Sequence, residues 1–149
     1  MYKVSEIENA ILEVLAADET LASYVRAFMP LPSLDEEALK NVIRQFPAIG
    51  VISQGGTYDY ASSNVQTETG SFLILCFNRN LRSPVAMVRG TEDEKGLWDL
   101  VDDCRRVILA GNLDDVNLLE CIARRRMLLF AGEHFAVAAL EVEAQWRNL

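Results

Sequence analysis

The chain has 149 residues, 50% hydrophobic against 24% charged, with 14 Lys plus Arg set against 22 Asp plus Glu for a net charge of -8. This size and apolar share fit one domain around one core. The acidic balance repels polyphosphate and so argues against a dedicated nucleic-acid binder, and the longest apolar runs, such as Phe72 to Phe77, are far shorter than the ~20 residues that span a bilayer. No membrane partner is expected.

The opening MYKVSEIENAILEV puts Ser5, Glu6, Glu8 and Glu13 where a secretory leader needs an unbroken apolar run, so the chain reads as cytoplasmic. Ser5 to Glu8 has the form of a capping box, and Ile7, Ile11, Val14 and Leu15 follow at helical spacing. From Asp18 the pattern repeats through Leu21, Tyr24, Val25 and Phe28, giving one broken helix or two. Pro30 and Pro32 interrupt it. Ser33 to Glu36 repeats the capping chemistry ahead of a stripe of Leu39, Val42, Ile43 and Phe46, and Pro47 stops that helix.

Ala48 to Ser53 reads as a short strand, and Gly55 to Asn64, rich in Gly, Asp, Ser and Asn, as a long loop. A second strand is expected over Val65 to Asn80 with Gly70 as a bulge. Phe72, Ile74 and Cys76 point to one of its faces and Leu73, Leu75 and Phe77 to the other, so both faces need cover. Asn80 to Gly90 reads as a connection, and Thr91 to Glu94 as the cap of a helix running from Glu92 to about Ala110. Leu97, Val101, Cys104 and Ile108 form its apolar stripe, and Asp102 and Arg106 stand at i,i+4 on its polar side.

The last third reads as a hairpin. A two-residue turn at Gly132-Glu133 pairs Ala131 with His134 and lines up Leu119, Cys121, Ala123, Met127 and Leu129 with the even-numbered residues Ala136 to Trp146 on a core face. The other face mixes Glu120, Arg124 and Arg126 with Leu118, Ile122, Leu128, Phe130, Phe135 and Val137. The expected class is α/β (α+β), a single domain over 1–149, with a roughly four-stranded, mainly antiparallel sheet packed by helices in the order α-α-β-β-α-β-β.

Catalytic signatures are sparse. Cys76, Cys104 and Cys121 are odd in number and sit in apolar segments, as reduced core thiols do. The one histidine, His134, reads as a solvated turn residue, and without His-x-x-x-His or CxxC spacing no metal or cofactor is expected. The acid clusters Asp35-Glu36-Glu37 and Glu92-Asp93-Glu94 serve helix starts. These, Asp102-Asp103 and Asp114-Asp115 lack the donor alternation of a calcium loop. Gly55-Gly56 has no Lys-Ser/Thr after it to hold a phosphate.

The candidate contacts are therefore with macromolecules. Tyr58 and Tyr60 are amphipathic aromatics in the long loop. Arg124-Arg125-Arg126 is the one basic run. Strand alternation puts Arg124 and Arg126 on one side, with Arg124 opposite Glu141, and Arg125 on the core side near the rim, which makes Arg125 the better interface candidate of a run that ordinary strand pairing otherwise accounts for. Phe72 and Ile74 join the set because the sheet has more apolar surface than the helices readily cover, and a neighbouring subunit is an economical cover. The alternative is a closed monomer with the early helices on one face and the Glu92 helix on the other.

IENAILEVLAAD (Ile7 to Asp18), FPAIGVISQGG (Phe46 to Gly56), FLILCFNRNLRS (Phe72 to Ser83), GLWDLVDDCRRVILAG (Gly96 to Gly111) and FAVAALEVEAQW (Phe135 to Trp146) together resemble the small tail-terminator proteins of Mu-like phages and prophages. The resemblance implies helices packed on an antiparallel sheet and no enzymatic chemistry. It also implies a homo-oligomeric ring, a hexamer, at the head-proximal end of the virion tail, assembled in the host cytoplasm. Such a ring ends polymerisation of the tail-tube protein, offers a docking surface to the head–tail connector or neck proteins, and lets DNA pass through its lumen without sequence-specific binding. A neck or head-completion protein is the alternative of the same kind. A small cytoplasmic enzyme with a carboxylate pair, which needs a concave pocket, and a monomeric binding module are the alternatives of other kinds.

Overall fold

The computed structural model of the protein describes residues 3–62, 64–111, 113, 118–132 and 135–148. Helix α1, Val4–Ala17, buries Ile7, Ile11, Leu12 and Leu15, and starts two residues earlier than the Ser5–Glu8 box implies. The Lys3 N–H donates to Glu6 Oε2 at 2.9 Å, so the acid at the third helical position closes the end. Helix α2, Glu19–Tyr24, is capped by Asp18, which accepts the Leu21 N–H at 3.1 Å. Phe28 does not continue it. Ala27–Pro30 is strand β1, because the backbone there pairs with the following strand instead of with the preceding turn.

Helix α3, Glu36–Val42, begins on Asp35 and stops well before Phe46. Asp35, not Ser33, supplies the cap through the Ala38 N–H, while Ser33 Oγ accepts the Asp35 N–H. Strands β2, Ala48–Ser62, and β3, Val65–Asn78, form one long antiparallel hairpin, so the loop expected at Gly55 to Asn64 is strand from Gly55 to Ser62. Its bulges lie on β2 at Ser53/Gly55 and Tyr60/Ser62, while Gly70 is in regular register with Gly56 and Ala144. Gly70 has a packing role: a Cβ there would stand 2.8 Å from Trp146 Cη2.

The stretch after β3 holds a helix that the sequence reading missed, α4 at Pro84–Arg89, with the Ser83 hydroxyl accepting the Ala86 N–H and Pro84 opening the first turn. Thr91 to Glu94 does not cap the next helix. Thr91 Oγ1 accepts the N–H groups of Asp93 and Glu94 in a local turn, and α5, Leu97–Leu109, starts at Gly96, whose N–H donates to Asp99 Oδ2 at 2.8 Å. The expected stripe of Leu97, Val101, Cys104 and Ile108 is buried, joined by Leu100 and Val107. Strands β4, Leu118–Ala131, and β5, Ala136–Asn148, complete a five-stranded sheet ordered β1-β2-β3-β5-β4, antiparallel except for β1 against β2. The expected four-strand order α-α-β-β-α-β-β is thus α-α-β-α-β-β-α-α-β-β.

The sheet has a core on each face. Helices α1, α2 and α5 pack over Phe72, Ile74, Cys76 and the even-numbered residues of β5 from Ala136 to Trp146. Leu31, Leu39, Ile43 and Phe135 pack over Leu73, Leu75, Phe77, Val137 and Ala139 on the other face. Both faces of β3 are covered as its two-sided pattern requires, by this chain itself. Neither expected arrangement holds: no second subunit is needed for β3, and α5 shares a face with the early helices while the segment from Leu31 to Phe46 takes the other.

The terminal hairpin pairs Ala131 with Ala136, two residues off the expected turn, and the Gly132 N–H donates to the Phe135 carbonyl at 3.0 Å. His134 and Glu133, like Asp114-Asp115, lie outside the described residues. The expected register holds over Glu120 to Ala123 but fails beyond it, because a bulge at Ala123/Arg125 adds a residue to β4. Met127 moves with it onto the second core face, beside Phe130.

Asp18 also receives Arg106 of α5 in a two-pronged pair at 3.2 and 2.8 Å, joining the α2 start to α5. Asp18→Ala is expected to cost about 1 kcal/mol in urea unfolding at pH 7 through the lost cap. The Arg106 hydrogen bonds hold the Asp18 carboxyl below its usual range. A lowered folded value stabilises above the unfolded value of ~3.9 and loses that contribution as pH falls through the folded value. The gap between wild type and variant should therefore be constant near neutrality and narrow below about pH 4. A gap that widens on acidification would contradict the pairing.

Candidate interaction surfaces

Beyond Val51 no described strand pairs with the outer side of β2, so Ile52–Ser62 is an open sheet edge. Asp59 is its one charged residue, and it has none of the prolines or lysines that usually blunt such edges. The hairpin end is set by pairing of Tyr58 with Glu68 and Tyr60 with Gln66, and residues sharing a register position share a face. Tyr58 and Tyr60 thus stand on the face of Glu68 and Trp146, and are 58% and 72% exposed. Trp146 anchors the base, buried against Phe72 with ring centroids 6.2 Å apart, and its Nε1 has no hydrogen-bond partner among the described residues.

The opposite edge, β4, is long but blunted. Three bulges interrupt it, at Leu118/Glu120, Ala123/Arg125 and Leu128/Phe130. The middle bulge overturns the expected alternation of the basic run. Arg124 pairs with Glu143 at 2.9 Å, not Glu141, and Arg125 turns outward onto Glu141 instead of inward. Arg126 faces α5, with Asp102 at 3.2 Å and the Trp98 ring centroid 5.6 Å away. Asp102 is therefore taken by β4 and not by Arg106.

Trp98, Asp102 and Arg105 lie on one stripe of α5 that looks toward β4. Arg105 is exposed and forms no ion pair with a described residue. With Ala123, Leu140 and the three strand arginines it lines a cleft at this edge. Exposed pairs of this kind contribute little to stability.

Phe72 and Ile74 are fully buried and present nothing to a partner; a strand sandwiched between two layers has the same apolar pattern as one awaiting a subunit. The other perturbed groups are internal. Tyr24 donates to Asp103 Oδ2, which also accepts from Lys95, and burial followed by the Asp103 bond pushes the phenol far up. Cys76 and Cys104 are buried with sulfurs 3.9 Å apart. The contact with Cys76, then burial, raises the Cys104 thiol, and burial pushes Cys121 up to about 12. Thiols held protonated in this way are poor nucleophiles. Among the described residues no three His, Cys, Asp or Glu side chains are grouped to hold a metal ion, and no helix is long and apolar enough to cross a membrane.

No curated protein matches the chain. A family model described as "Bacteriophage Mu, Gp37" matches residues 3–147.

Proposed function

The chain belongs to the bacteriophage Mu Gp37 family, and from that premise we propose that this Mu-like phage structural protein is the tail terminator. In this reading copies of the chain close into a ring, a hexamer, on the head-proximal end of the tail tube. The ring stops addition of tail-tube protein and presents the surface on which the connector or neck proteins dock. The match over residues 3–147 carries the reading. The shape of the subunit is compatible with it: its open β2 edge and its arginine-lined β4 edge are different surfaces on opposite sides of one sheet, and unlike surfaces give head-to-tail contacts, which form a ring where the rotation between subunits closes.

The net charge of -8 has a use in such a ring, since an acidic lumen repels phosphate and lets DNA slide through without sticking. A lumen lined with basic side chains would contradict that part. The ring itself is tested by chemical cross-linking of the purified chain, free and incubated with tail tubes of a Mu-like phage. A ladder ending at six copies is expected in at least one condition, and monomers alone in both would overturn the ring.

A further inference from the structure

We propose that the β2–β3 hairpin end of one subunit docks, through Tyr58, Asp59 and Tyr60, in the cleft formed by Arg105 and Arg124–Arg126 of the next subunit. The inference rests on the ring reading and names the contact that closes it. The hairpin end offers two exposed tyrosines on one face and the Asp59 carboxylate on the other, on an edge that nothing described covers. From Gly55 to Ser62 it reaches roughly 20 Å at strand rise, far enough to enter a neighbour's cleft.

The cleft offers what those side chains bind. Guanidinium planes stack on tyrosine rings, and Arg126 already lies over Trp98 in this manner. Arg105, without an ionic partner among the described residues, is suited to Asp59. Ala123 and Leu140 give the cleft an apolar floor for aromatic edges. A DNA phosphate is the poorer occupant, because Glu141, Glu143 and Asp102 already stand against three of the four arginines and offset most of the local positive charge. The two surfaces lie at opposite edges of the sheet, so the contact is heterologous and each subunit uses both.

The test is complementation between two defective chains. A hairpin variant, Y58S with D59N and Y60S, and a cleft variant, R105E with R125E, are purified separately and their masses measured under conditions where the wild type assembles. R105E alone replaces the double variant should the latter lose its circular-dichroism spectrum. Each variant is expected to stay monomeric, and their equimolar mixture is expected to stop at a complex of two, since one supplies an intact hairpin, the other an intact cleft, and no further contact remains.

Variants that assemble like the wild type, or a mixture of folded variants that stays monomeric, would overturn this contact and leave the ring reading standing. Duplex DNA bound by the wild type and released by R105E would overturn it in favour of phosphate. A wild type that stays monomeric, with and without tail tubes, would instead remove the ring reading.

Discussion

Phe72→Ala is expected to cost about 3–5 kcal/mol of folding stability, the range for truncating a buried aromatic. Phe72 is wholly buried, under the helices and against Trp146 at 6.2 Å, on the central strand from which the pairings to β2 and β5 both run. The loss is a large part of the total for a domain of this size, typically about 5–15 kcal/mol. Leu81→Ala is the matched control: Leu81 is 68% exposed, and a change within about 0.5 kcal/mol is expected there. The measurement is the urea midpoint at constant slope. A loss under about 1 kcal/mol for Phe72→Ala would mean that the helical layer does not press on the sheet as described.

Gly96→Ala is the second severe change, with an expected cost of about 3 kcal/mol, the upper part of the range for forcing atoms into filled space. Gly96 opens α5, and an added Cβ there would land on the backbone of Arg89 and Gly90. Backbone has no rotamer with which to give way. Gly90 is itself locked at φ +78°, a conformation in which a side chain would be strained, and its own Cβ position lies against Asp99 and Gly96. The two glycines thus allow the turn between α4 and α5 to close on itself. Unfolding curves at neutral pH check this, and a variant within 0.5 kcal/mol of wild type would contradict the close approach.

The helical faces were readable because helical period is a strong, redundant signal. Ile7, Ile11 and Leu15, and the α5 stripe from Leu97 to Ile108, sit where spacing puts them. Helix starts were less readable, since capping residues within two or three positions compete, and Asp35 and Gly96 prevailed over Ser33 and Thr91. Strand β1 is only four residues long and is stabilised by pairing with a segment about twenty positions away, which no local pattern reveals.

The outer part of β2 shows the same limit. GGTYDYAS has turn composition, yet β3 holds it in register because β3 is itself fixed by β5. For the interaction surfaces, composition alone marked Tyr58 and Tyr60 as exposed aromatics. Strand alternation counted through Arg124–Arg126 does not hold because the bulge at Ala123/Arg125 reverses the side chains after it as far as the next bulge at Leu128/Phe130. The cleft joins a helix to an edge strand, so Arg105 could not be associated with the arginine run before the fold was known.

The central claim, termination of the tail tube, is tested most directly by negative-stain imaging of tail-tube protein from a Mu-like phage polymerising with and without this chain. Tubes of restricted length with a disc at one end are expected when the chain is present, and long uncapped tubes when it is absent. Tubes of unaffected length with bare ends in both samples would contradict the account.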